Sequence, residues 1–257
     1  MPTDPCAITF PSDGRKLAGH LYLPRDFDEG RRYPGVVVVG PGSSVKEQAG
    51  GIYARKVAQR GYVALVFDPS FQGESEGLPR DREDPAARIE DIRSAVDHLV
   101  TMSFVDDEAL GLLGICAGGG YAVAAARIER RFKAVATVVA SDLGAAFRRA
   151  RPQAAAVDDL LTEIGRQRTL EARGGAERRV DWLPSQAEVD AAGITDPGLL
   201  NAIDFYATPR GHKASRTNQR LFASDALLLR RLPSRRGTAR PATPGDRWWQ
   251  AGYDLLT

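Results

Sequence analysis

Cysteine is scarce: the 257-residue chain carries two, Cys6 and Cys116. Two cysteines make at most one bridge, and neither has a companion at a metal-binding spacing. A disulfide-stapled fold and a ribbon-type zinc site are thereby excluded, and free thiols in a reducing compartment are expected. Histidine is restricted to His20, His98 and His212, so imidazole chemistry has three positions to choose from. No run of about 18 apolar residues occurs, and the opening MPTDPCAITF has no basic segment leading into an apolar one. Neither a membrane span nor a secretory leader is expected, and the expected location is cytoplasmic. A surplus of one charge is missing as well. Lys plus Arg total 35 against 33 for Asp plus Glu, a formal net charge of +2, too little for an electrostatic claim on nucleic acid or an anionic membrane.

What is present is an alternating pattern. Hydrophobic residues make up 43% of the chain, enough for one sizeable core. CAITFPSDGRKLAGHLYLP reads as a hairpin with a turn at SDG. Four aliphatic runs follow, YPGVVVVGPG, GYVALVFDPS, ALGLLGICAG and FKAVATVVAS, as expected of parallel strands buried on both faces. Helical stretches lie between them. In DPAARIEDIRSAVDHLVTM, Ile89, Ile92, Val96 and Leu99 form one apolar face, and Asp84 and Pro85 stand as N-cap and first helical residue. Strands and helices alternating at this spacing predict an α/β fold, a doubly wound and mostly parallel sheet.

Three regions follow from the patterning. Residues 1–149 form the core. From 150 to 215 the strand signal vanishes into polar helical pieces, which predicts an inserted helical lid. Residues 216–257 hold a residual core helix and an irregular tail, RRLPSRRGTARPATPGDRWWQAGYDLLT, whose composition reads as loosely attached.

The chemistry converges on one corner. Gly114, Cys116 and Gly118 form a Gly-x-Cys-x-Gly motif between the third parallel strand and an alanine-rich helix. Such a turn strains its central residue and lifts the side chain clear of both elements. The N–H groups opening the helix favour negative charge there and can hold a developing oxyanion. Cysteine is also a common buried residue, and glycines also serve close packing, so a plain structural role stays open.

Together with GPGSSVKEQAGGIYARKVAQRGYVALVFDPSFQGESEG, KAVATVVASDLG and FYATPRG, this corner resembles the dienelactone-hydrolase-like branch of the α/β-hydrolase superfamily, and is similar also to fungal polyketide transferases. The resemblance runs from about residue 7 to about 228. It implies Cys116 as nucleophile, the Ala117 N–H as one oxyanion donor, and a second donor near Gly42 and Ser43. Gly40 departs from the His-Pro-Gly found in many relatives. Glu47 either faces the corner, as a carboxylate does in some cysteine hydrolases of this type, or serves as a favourable charge at a helix start. Asp68 is expected to organise the loop after its strand. Asp142, at the C-terminal rim where ligands bind in open α/β sheets, is the candidate acid.

The base is harder to place. In this fold the order is nucleophile, acid, then a histidine after the last strand. Only His212 follows the cysteine, and it lies in the exit of the 150–215 segment, so it is the candidate base. The last strands and histidine loop that such relatives carry have no counterpart after Leu229, which predicts a sheet lacking its final strands and an impaired enzyme.

The resulting expectation is a hydrolase acting on ester, thioester or lactone carbonyls through a cysteine acyl-enzyme. The alternatives are an inactive domain that binds an acyl ligand or a partner, and an acyltransferase. A small acyl molecule is the expected partner, with no nucleic acid, membrane, metal or cofactor. The pocket is expected to border residues 43–48 and the corner. Nothing in the sequence fixes the oligomeric state.

Overall fold

In the computed structural model, which describes residues 4–151 and 153–229, the first turn sets the hairpin. Asp13 and Gly14 both have positive φ, 45° and 76°, the twist that two-residue hairpin loops require. They join β1 (Cys6–Ser12) to β2 (Arg15–Tyr22) in a register running from Cys6 opposite Leu21 to Ser12 opposite Arg15. The tail beyond Leu229, including Trp248 and Trp249, lies outside the described residues.

The four aliphatic runs are strands: β3 (Tyr33–Val39), β4 (Val63–Phe67), β5 (Val105–Ile115) and β6 (Phe132–Val138). All four run parallel and β2 pairs antiparallel with β4, giving the order β1-β2-β4-β3-β5-β6. The crossovers are α1 (Ala49–Ala58), α2 (Pro85–Leu99) and α3 (Ala117–Ala126). Helix α2 starts where its signals stand, with the Asp84 carboxylate accepting the Ala86 N–H and Pro85 as first residue. Its Ile92, Val96 and Leu99 meet Leu65, Leu112 and Tyr121 in one core, while Ala54 and Ala58 of α1 meet Val38, Val66 and Ile115 on the other face. The sheet is therefore covered on both sides by helices, each fully buried aliphatic side chain contributing about 1.5–3 kcal/mol.

Two features depart from the sequence expectation. Strand β6 is not buried on both faces: Lys133 through Thr137 are exposed, because β6 is the sheet edge and pairs with β5 alone among the described residues. The 150–215 segment is also not free of strands. β7 (Arg179–Asp181) pairs antiparallel with β8 (Gln219–Leu221), three residues on each side being too short for a periodicity to register.

Around that ribbon lie α4 (Leu143–Arg149), α5 (Ala154–Ala172), α6 (Gln186–Ala192), α7 (Pro197–Ala207) and α8 (Asp225–Leu229). Leu160 and Ile164 of α5 pack on Phe222. The Leu221 N–H donates to the Asp81 carbonyl at 2.8 Å, and Arg179 pairs with the Asp81 carboxylate. Next to this seam the fully buried Glu83 accepts from Arg88 Nε (2.9 Å) and Nη2 (2.8 Å), Tyr121 Oη (2.8 Å) and Gln72 Nε2 (2.9 Å), and its own N–H donates to Ser224 Oγ (3.0 Å). Among the described residues no helix is long and apolar enough to cross a membrane.

Candidate active site

At the end of β5 the chain turns on Cys116, whose backbone sits at φ 53° and ψ −121°. A non-glycine residue there costs about 1–3 kcal/mol and persists only where its surroundings fix it. They do: the Cys116 N–H donates to the Val138 carbonyl, and the Cys116 carbonyl accepts from the N–H groups of Gly119 and Ser141, each at 2.9 Å. The flanking glycines are needed for contact. A Cβ on Gly118 would lie 2.3 Å from the Val39 carbonyl oxygen, and one on Gly114 2.5 Å from the Gly118 carbonyl oxygen. The result is a half-buried thiol at the start of α3, beside the Ala117 N–H, which helix geometry leaves without an intrahelical acceptor.

The turn after β3 closes on this corner. Ser43 is buried with φ 58°, and the Ser44 N–H donates to the Pro41 carbonyl at 3.2 Å. A methyl group on Gly42 would stand 3.6 Å from Ala117 Cβ and 3.5 Å from the Trp182 ring. Gly40 is small for a local reason, since a Cβ there would meet Ser44 Oγ at 2.7 Å. Gly42, Ser43, Ala117 and Cys116 are thus gathered at the C-terminal ends of β3 and β5, the rim at which open α/β sheets bind ligands.

Below the turn a charged cluster gathers around a buried lysine. Lys46 Nζ, 3% exposed, contacts Glu47 Oε1 (2.7 Å), Asp68 Oδ2 (2.9 Å) and Glu74 Oε2 (2.6 Å). Burial alone would push this ammonium down, but the three carboxylates hold it above its ordinary value. Asp68 also accepts the backbone N–H groups of Lys46 (2.7 Å) and Glu74 (3.0 Å), so it ties the loop after β4 to the loop after β3. Glu47 adds His20 Nε2 at 3.9 Å, and Glu47 Oε2 has no partner. A cavity of about 10 Å³, room for one water, lies beside the cluster between Gly40, Ser44, Val45, Lys46 and Arg88. It borders the expected loop, but Cys116 does not line it.

Three side chains from the later segment approach the corner. Trp182 lies over Gly42, its Nε1 buried and unpartnered. The Arg216 guanidinium donates to Ser43 Oγ at 3.1 Å and stands 4.9 Å from the Tyr206 ring centroid. Burial pushes the Tyr206 phenol up to about 12, with the nearby Cys116 sulfur acting in the same direction. Gln48 fastens this segment to the turn: its Oε1 accepts the Val45 N–H (3.0 Å) and its Nε2 donates to the Gly211 carbonyl (2.7 Å). Gln48 falls within the 43–48 stretch expected from the sequence at this site, whereas Trp182, Tyr206 and Arg216 carried no signal pointing to it.

The candidate acid and base are both exposed. Asp142 is exposed and caps α4, its carboxylate accepting the Ala145 N–H at 2.8 Å. His212 is exposed, its N–H bonded to the Thr208 carbonyl, and among the described residues no hydrogen bond joins its ring to Cys116. His98 stacks on Phe10 with centroids 5.4 Å apart. Among the described residues no group of three or more His, Cys, Asp or Glu is placed to hold a metal ion.

Comparison with known proteins adds independent findings. A sequence profile described as the dienelactone hydrolase family matches residues 17–157. The uncharacterised protein YcjY of Escherichia coli is 40% identical over 76% of this chain and 63% of its own length. The thiohydrolase aneE of Aspergillus aculeatus is 35% identical over 61% of this chain and 46% of its own length. The chain thus spans less than two thirds of either relative. The crystal structure of hypothetical protein PA2218 from Pseudomonas aeruginosa superposes with a TM-score of 0.81 at 31% identity, covering 89% of this chain and 71% of that one.

Proposed function

The chain belongs to the dienelactone hydrolase family of α/β hydrolases, and from that premise we propose that it attacks ester, thioester or lactone carbonyls through a Cys116 acyl-enzyme. The Cys116 thiol gives up its proton to solvent, the thiolate adds to the carbonyl carbon, and the oxygen takes the charge between the N–H groups of Ala117 and Ser43. Collapse breaks the bond to the leaving group, which takes a proton from solvent and departs as alcohol or thiol; water or an acceptor alcohol then adds to the acyl carbon, the C–S bond breaks, and the proton it brought restores the Cys116 thiol. The observation that carries this reading is the strained Cys116 backbone, pinned by three hydrogen bonds where α3 begins at Ala117. The relative named a thiohydrolase supports a thioester as acyl donor. A small acyl molecule is the partner proposed, and the cytoplasm, where a thiol stays reduced, the location.

A second reading is an acyl-binding domain without turnover. It is favoured by the surroundings of Asp142 and His212: the carboxylate caps α4 and both side chains are exposed. An activated aryl ester separates the two, because its leaving group needs no proton. The expected outcome is a burst of phenolate with a matching acyl adduct on Cys116 in intact-protein mass, lost in Cys116→Ala. No adduct at Cys116 would sink the enzyme reading.

A further inference from the structure

Arg216 is a half-buried cation without a counter-ion. Among the described residues no carboxylate pairs with it. Its guanidinium contacts are Ser43 Oγ at 3.1 Å, Asn218 Oδ1 at 3.2 Å and the face of Tyr206, and its Nε is buried with no partner at all. Leaving a buried charge uncompensated is expensive, and such arrangements persist where an anion arrives. The two neighbours that hold the guanidinium say where that anion forms. Ser43 belongs to the turn whose Gly42 packs toward Ala117, and Tyr206 lies close enough to the Cys116 sulfur to feel its charge.

We infer that Arg216 is a catalytic cation of this site, facing the carbonyl oxygen on which charge develops when Cys116 adds to an acyl substrate. The inference rests on the acyl-enzyme reading above. As the sulfur's electron pair forms the S–C bond, the carbonyl π pair moves onto oxygen. The guanidinium supplies that oxygen with a fixed positive charge, and the pair returns to carbon as the bond to the leaving group breaks and that group takes its proton from solvent. A cation already oriented by Ser43 and Tyr206 needs no reorganisation at that moment, which is the condition under which such contacts accelerate a reaction. The alternative occupant, a carboxylate carried by the substrate, would engage the same cation but would matter only for anionic substrates.

The test uses the full chain and two aryl esters of equal length, one neutral and one ending in a carboxylate. Single-turnover acylation of Cys116 is followed in wild type, Arg216→Met and Arg216→Lys. The expected result is a loss of about 10²-fold in the acylation rate of Arg216→Met on both esters, with KM little changed. Arg216→Lys should retain more of the rate, and millimolar guanidinium chloride should restore part of it to Arg216→Met. Wild-type rates in Arg216→Met would overturn the inference, as would a loss confined to the carboxylated ester or one that guanidinium does not relieve. A wild-type chain that forms no adduct would instead fail the acyl-enzyme reading itself, before any Arg216 variant is measured.

Discussion

His98 faces Phe10 with near-parallel rings, its Nε2 buried and without a partner, and burial pushes its imidazole below the ordinary 6.5. His20 moves the same way, through burial and then the Lys46 ammonium, against the pull of Glu47. For both, the unfolded chain binds its proton near pH 6.5 and the folded chain only at lower pH. Between those two values the unfolded state holds more protons, so stability rises with pH across that window and is lost as pH falls through it. Urea unfolding between pH 7.5 and 5 should show this slope, and His98→Phe should flatten it; a protein that gains stability on acidification would contradict the argument. At this scale the sequence is legible where a residue's reason is local. The Cys116 corner announces itself through glycines two positions either side, each filled by backbone in the fold. Arg216 does not announce itself, because its meaning lies in Ser43, 173 positions away, and Gln48 is joined to Gly211 across 163.

Helix α2 could be read in advance because an N-cap, a proline and an apolar face coincide, and the central strands β3 and β4 because burial makes them aliphatic. Ribbon β7–β8 could not, being held by its pairing and by the seam with Asp81 rather than by any preference of its six residues. The joint between α2 and α3 shows what that kind of tertiary placement is worth. Glu83, ahead of α2, neutralises Arg88 within α2 and accepts the Tyr121 hydroxyl from α3, all three buried. Glu83→Gln leaves the guanidinium uncompensated and should cost about 3–5 kcal/mol in urea unfolding, part of which Glu83→Gln with Arg88→Met should recover. A single variant within about 0.5 kcal/mol of wild type would mean that water reaches the pair.

The whole sheet is uneven in its protection. Strand β3 lies at its centre with a neighbour on each side, whereas β6 has one partner among the described residues and is largely exposed. Native-state hydrogen exchange should therefore find the slowest amides in Val36–Val39 and markedly faster ones in Ala134–Thr137. Equal protection in the two strands would show that β6 is covered by something beyond the described residues. The central position of β3 also has a consequence during synthesis. β1 and β2 can pair as soon as both have left the ribosome, in about 1–10 μs. β3 has only β4 to pair with until β5 is made far downstream, and at about 5–20 residues per second that wait lasts several seconds. Throughout it the run Val36-Val37-Val38-Val39 has at least one edge open and a face still waiting for α3. The nascent chain is then most exposed to mispairing and most dependent on chaperones, so its yield is decided while it is being made.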